Sequence, residues 1–304
     1  MKKKNGELSA TVPQFLNYAK LIGAFSPGGK NDADELFTSS YIMSLKGLRI
    51  APAAFEPGYL DIFSAPDSQR LQEILRLMAE DGIQALWATR GGHGAMRLLD
   101  SLEEKWSSFP KDKPIIGYSD ITALHLARLA ATGVGGWHGP NLTSYCKESF
   151  PLEEAPLFGS KAHPWYFQDI AVLRPGAAQG PLLGGNLTLF SHLYGGKYCS
   201  PSCGCILMLE DVGEKPYAID RYLVALRLKG AFEKAAGIVF GQFTDCGNPK
   251  EIEEVLKAFS DSLRVPVAMG GPFGHGPINI FWYEGEEGLL ELTSGGGKLS
   301  FLMR

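Results

Sequence analysis

The chain has 304 residues, 45% of them hydrophobic and 20% charged, with a formal net charge of -4. A chain of this length builds two ordinary domains or one large one, and its apolar share supplies a sizeable core. The mild negative charge argues against nucleic acid or an anionic membrane as the main partner.

The N-terminus is basic at Lys2, Lys3 and Lys4, but NGELSATVPQF follows in place of an apolar stretch. No run approaches the roughly 18 apolar residues of a membrane span. The expectation is a cytoplasmic protein. Five cysteines, an odd number, suit a reducing compartment. Three of them cluster at Cys199, Cys203 and Cys205. No histidine lies nearby and no second cysteine pair completes a tetrahedral set, so reduced thiols around a turn are expected and no metal site.

LIGAFSPGG, from Leu21, reads as a buried strand entering a turn. SQRLQEILRLMAEDG places Leu71, Ile74, Leu75 and Met78 at the spacing of an amphipathic helix. IQALWATRGGHG is a strand ending in a glycine loop, and AMRLLDSLEEKW resumes as helix. PIIGYSDITALHLA is again strand into helix. This alternation predicts a parallel sheet covered on both faces. From about Lys147 to Pro181 the chain is rich in Pro, Gly and aromatics, without clear periodicity, as in a linker or crossover.

Beyond it, GCILMLEDVGE and AAGIVFGQF read as strands. AIDRYLVALRLKG and PKEIEEVLKAFSDSL read as helices, and the tail GLLELTSGGGKLSFLMR as a hairpin. Two domains are expected, 1–165 and 166–304.

Three stretches could carry chemistry. Ser119 ends a strand and starts a helix, where a hydroxyl points into the ligand crevice of a parallel sheet. The N–H of Asp120 would sit there among unpaired helix-start donors. A helix cap is the other reading of Ser119 or Asp120. Ile121 stands where a Gly-x-Ser-x-Gly elbow would have its last glycine. The second stretch is Thr89-Arg-Gly-Gly-His-Gly94. It fits an oxyanion donor with Arg90 as an anion clamp, a phosphate loop, or a plain tight turn. In the third, Glu210 closes the apolar run CILML, and a carboxylate in such a position needs a partner. His275, in the Gly/Pro-rich loop PFGHGP, can provide it. With Ser119 these complete the order Ser, Glu, His of a triad, with His as base and Glu fixing its tautomer.

RGGHGAMRLL, IIGYSDITALH, WHGPN, GGNLTL, LEDVGEKPYAIDR and PFGHGPIN together resemble, in order, the motif blocks of the LD-carboxypeptidases. These are serine peptidases that include muramoyltetrapeptide carboxypeptidases and the microcin C immunity peptidase. The resemblance runs from about Ile22 to Leu292. It implies an α/β fold with a Rossmann-like parallel-sheet N-terminal domain, a β-rich C-terminal domain, and the active site between them. It implies Ser119 as nucleophile, Glu210 and His275 as the other catalytic residues, and the N–H groups of Asp120 and Gly92 as the oxyanion hole.

It further implies removal of a terminal D-alanine from a muramyl tetrapeptide, no cofactor, and a homodimer. Arg90 is assigned to the substrate carboxylate. Two departures bear on substrate choice. His93 stands where the family usually has tyrosine, which also makes it a rival base, and IFWYEGEEG follows FGHGPIN. His93 and Trp282 are therefore read as substrate-binding. Trp282, Tyr283 and Trp165 allow a wider aromatic pocket and so an alternative substrate, a peptidyl or aminoacyl nucleotide. A non-catalytic nucleotide-binding module is the alternative of another class.

Overall fold

The computed structural model describes residues 21–45, 48–51, 62–147, 165–167, 170–199 and 203–301. In chain order the strands are β1 (Leu21–Phe25), β2 (Arg49–Ala51), β3 (Ala85–Ala88), β4 (Ile115–Gly117), β5 (Trp137–His138), β6 (Trp165–Phe167) and β7 (Ala171–Arg174). They continue as β8 (Gly176–Asn186), β9 (Ile206–Val212), β10 (Gly237–Thr244), β11 (Val267–Met269), β12 (Trp282–Tyr283), β13 (Glu287–Thr293) and β14 (Gly296–Phe301).

Among the described residues two sheets form. The first runs β12-β5-β4-β3-β1-β2 and is parallel except for β12, which pairs antiparallel with β5. Strand order reverses between β1 and β3. That is the switch point at which parallel sheets open a crevice beyond their carboxyl ends. The loops after β1 and β3 border it, and the loop after β4 carries Ser119.

The second sheet runs β6-β14-β13-β8-β9-β10-β11-β7, parallel at its centre and antiparallel at its margins. The β13–β14 pair is the hairpin expected of the tail. β7 and the first half of β8 fall within the stretch expected as a linker or crossover. The expected division at residue 165 adjoins residues 148–164, which lie outside the described residues.

The helices are α1 (Ala33–Leu45), α2 (Asp67–Ala79), α3 (Leu99–Leu102), α4 (Thr122–Thr132), α5 (Leu142–Lys147), α6 (Leu187–Leu193), α7 (Pro216–Leu228), α8 (Ala231–Lys234) and α9 (Pro249–Asp261). The helix expected over AMRLLDSLEEKW is broken. It becomes a 3-10 turn at Ala95–Leu98, α3, and a further 3-10 turn at Trp106–Ser108. Its apolar residues Leu98, Leu102 and Trp106 are nevertheless buried.

One apolar cluster crosses the molecule, joining Leu98, Leu124 and Leu126 to Leu187, Phe190 and Leu223. It packs α4 of the first sheet's layer against α6 of the second. The Asn186 backbone N–H reinforces this by donating to Thr122 Oγ1 at 3.0 Å. The shared core fixes the carboxyl ends of β4 and β9 relative to each other.

Candidate active site

β4 is fully buried, and the chain leaves it through Tyr118 into a 3-10 turn at Ser119–Ile121 before α4. Ser119 has φ +63°, in the left-handed region, and is half-buried. A non-glycine residue there is uncommon and costs energy that the surrounding structure must over-determine. No side chain caps the turn or α4, so the capping role is not the one taken. The Asp120 carboxylate instead turns back and accepts the Ala95 N–H at 2.7 Å. Its burial raises its pKa.

Asp120 thereby ties the turn to the loop after β3. Gly91 of that loop lies against Ser119: a Cβ at Gly91 would be 2.8 Å from Ser119 Cβ and 3.0 Å from Oγ. Only glycine permits that approach. The Gly91 carbonyl accepts the Gly29 N–H at 2.8 Å. In a trans peptide the Gly92 N–H then points the opposite way. Neither it nor the Asp120 N–H meets an acceptor among the described residues.

α2 holds these loops from behind. The buried Arg70 guanidinium donates to the carbonyls of Pro27, of Gly94 at 3.0 Å and of Ala65 at 3.1 Å. Glu73 accepts the Ser26 N–H at 2.8 Å. Thr89 Oγ1 donates to Asn31 Oδ1 at 2.9 Å, and Asn31 Nδ2 donates to Ser26 Oγ at 2.6 Å. In front, Lys30, Asn31, Arg90, Gly92 and His93 line a cleft of about 490 Å³. Arg90 is exposed and donates to the Lys30 carbonyl at 3.1 Å. His93 is exposed and stacks on Phe63, ring centres 5.7 Å apart.

Glu210 follows the apolar residues of β9 and is itself 0% exposed. Its Oε2 lies 2.7 Å from His275 Nδ1. A carboxylate only accepts, so Nδ1 carries the proton and Nε2 the lone pair of a base. The His275 loop is pinned by Gly274 N–H donating to Asn279 Oδ1 at 3.1 Å and Gln242 N–H donating to the Phe273 carbonyl at 2.9 Å. The His275 ring lies 4.5 Å from the ring of Tyr118, the residue before Ser119.

The next residue, Asp211, faces away, as alternation in a strand requires. It accepts Asn186 Nδ2 at 2.7 Å and the Thr188 N–H and hydroxyl at 3.0 and 2.8 Å. Burial, with Glu210 adding to it, pushes Asp211 up to about 6.

Ser119, Asp120, Gly92, Arg90 and His93 thus gather at the carboxyl ends of the first sheet, with the Glu210–His275 pair against the Tyr118 ring. Trp282 is a correction. Pairing of β12 with β5 buries it completely against His138, leaving no surface for a substrate. The side chain of Trp165 lies outside the described residues. Arg70 and Glu73 are missed by sequence reasoning. Their one signal is position, since both share the apolar face of α2 with Ile74 and Leu77. Among the described residues no group of three or more His, Cys, Asp or Glu is placed to hold a metal ion. Cys199 and Cys205 are buried thiols and Cys203 is exposed. No helix among the described residues is long and apolar enough to cross a membrane.

The LD-carboxypeptidase N-terminal domain profile matches residues 22–139, and the LD-carboxypeptidase C-terminal domain profile matches residues 179–288. The chain belongs to the LD-carboxypeptidase family. It is therefore an enzyme of the serine peptidase type. A putative carboxypeptidase of Synechocystis is 33% identical over 82% of this chain and 83% of its own. The microcin C7 self-immunity protein MccF of Escherichia coli is 26% identical over 84% and 85%. The crystal structure of muramoyltetrapeptide carboxypeptidase from Oxalobacter formigenes superposes with a TM-score of 0.79 at 25% identity, covering 92% of this chain and 98% of that one. The first matched segment contains Ser119, and the second contains Glu210 and His275.

Proposed function

We propose that this LD-carboxypeptidase removes the terminal D-alanine of a muramyl tetrapeptide through an acyl-enzyme, with Ser119 as nucleophile and His275 and Glu210 completing the triad. The observation that carries the reading is the 2.7 Å contact of His275 Nδ1 with Glu210, beside the ring that precedes Ser119. His275 Nε2 takes the Ser119 hydroxyl proton as Oγ attacks the amide carbonyl. Glu210 holds the imidazole and stabilises the imidazolium. The Asp120 and Gly92 N–H groups receive the oxyanion, each contributing about 3–4 kcal/mol to the transition state. His275 then protonates the leaving D-alanine amine, and water releases the acyl group by the reverse proton path.

Arg90, exposed in the cleft beside Gly92, receives the substrate's terminal carboxylate, a group its planar fork fits bidentately. His93 borders the same cleft. The reading places the enzyme in the cytoplasm as a homodimer, which fractionation and light scattering test.

The deciding experiment incubates purified enzyme with muramyl tetrapeptide and follows D-alanine release by mass, wild type beside Ser119→Ala. Release by wild type alone is expected. Release by both proteins, or by neither, overturns the assignment.

The extent of similarity to MccF supports a second reading, in which the same triad cleaves an aminoacyl or peptidyl nucleotide amide. Turnover of an aminoacyl sulfamoyl adenosine in place of the tetrapeptide would select it.

A further inference from the structure

We propose that His138 is a positioning residue for the catalytic pair: its neutral imidazole donates Nε2–H to the second carboxylate oxygen of Glu210. The proposal rests on the reading of Glu210 and His275 as catalytic. His138 ends β5 and is 0% exposed, as is Glu210. His138 Nε2 lies 3.9 Å from Glu210 Oε1, the oxygen that His275 does not engage. Among the described residues neither His138 nitrogen, nor Oε1, has a hydrogen-bond partner. Two facing orphans in a dry interior are costly apart and satisfied together. A shift of about 1 Å brings them to hydrogen-bond distance.

The ring is held for that role. Trp282 stacks on it with ring centres 4.8 Å apart and planes 22° apart. Tyr118 and Phe273 meet it edge-on at 6.2 and 6.5 Å. Burial keeps the imidazole neutral, with pKa well below the usual histidine range. A neutral ring has one N–H, and only the Nε2–H tautomer meets a carboxylate without lone-pair repulsion. Glu210 thus lies between two imidazoles. Of these, His275 is partly exposed and takes the proton in turnover.

Among the described residues three titratable groups neighbour this trio. Asp211 follows Glu210 on β9, His125 interacts electrostatically with His138, and the Tyr118 ring lies against that of His275.

Donation by His138 spreads the Glu210 charge. Without it the carboxylate attracts the His275 proton more strongly. His138→Phe keeps the stacked ring and removes the donor, whereas His138→Gln returns an amide N–H near the Nε2 position. The titration midpoint of His275 is read by NMR on 15N-histidine-labelled protein, in an Asp211→Asn background that removes the neighbour titrating near it. In His138→Phe the midpoint rises by about half a unit or more, and His138→Gln restores it. The acidic limb of kcat/KM moves in the same direction. If His138→Phe does not fold, His138→Asn, whose amide stops short of Glu210, replaces it in the comparison. Equal midpoints with and without the donor overturn the proposal. The titration needs no substrate, so a moved midpoint without D-alanine release sinks the peptidase reading alone. Release with an unmoved midpoint sinks this proposal alone.

Discussion

The Asp120 carboxylate accepts the Ala95 backbone N–H at 2.7 Å, joining the Ser119 turn to the loop that carries Gly91 and Gly92. On the proposed mechanism one residue thus offers its N–H to the oxyanion and uses its side chain to hold the partner loop in place. Asp120→Ala keeps the N–H and removes the tie. It is expected to lower kcat by about 10–100-fold, the cost of a small misplacement, with less change in KM. Asp120→Asn, which still accepts at Oδ1, should recover most of the loss. Steady-state kinetics of the two variants check this, and equal losses would refute a positioning role.

Glu210 and His275 come from opposite sides of α7 in the sequence and meet through β9 and the loop after β11. Glu210→Gln keeps the size of the side chain but no longer requires a proton at Nδ1. The wrong tautomer then faces Ser119. A kcat loss of about 10³–10⁴-fold with KM little changed is expected. Circular dichroism and thermal unfolding establish that the fold survives. A loss under tenfold would remove Glu210 from the triad.

Much of this site is legible in the sequence because its groups sit where pattern changes. Ser119 stands at a strand-to-helix break, Glu210 at the polar end of an apolar run, and His275 in a glycine-rich loop. Their ordered motif blocks favour catalyst over cap, which the PIIGYSD stretch alone does not. What supports them is not legible. Arg70 and Glu73 share the apolar face of α2, but only the fold reveals that they bind backbone of two loops.

The first half of β8, up to Pro181, reads as linker because it belongs to a Pro- and Gly-rich stretch without clear periodicity. The strand needs glycine for close approach: a Cβ at Gly184 would lie 2.1 Å from the Met208 carbonyl oxygen on β9. Trp282 misleads in the other direction. A motif departure rich in aromatics suggests a pocket, and an edge pairing between distant segments buries it instead.

Arg90 is exposed in the cleft, with its guanidinium anchored by one bond to the Lys30 carbonyl. A bidentate face remains for a carboxylate. Arg90→Ala is expected to raise KM for the tetrapeptide by roughly 10-fold or more, the worth of a charge-assisted hydrogen bond. Cleavage of the same peptide with an amidated C-terminus should be unchanged. Equal loss on both substrates would withdraw the assignment.

Asp211 is 1% exposed, and burial raises its carboxyl to about 6 from an ordinary value of 3.8. The folded protein therefore binds this proton more tightly than the unfolded chain does. The resulting stabilisation is full below about pH 4 and is lost as pH rises to 6, for at most about 2–3 kcal/mol. Hydrogen bonds from Asn186 and Thr188 oppose the shift but do not cancel it. In Asp211→Asn no proton is exchanged at this position. The urea midpoint of wild type should fall relative to that of the variant between pH 4 and 6, and the two should run parallel above pH 7. Asp67, which Arg97 and Arg70 hold below the usual range, contributes with the opposite sign and is common to both proteins. A constant difference from pH 4 to 7 would mean that Asp211 is ionised throughout, with its hydrogen bonds outweighing its burial.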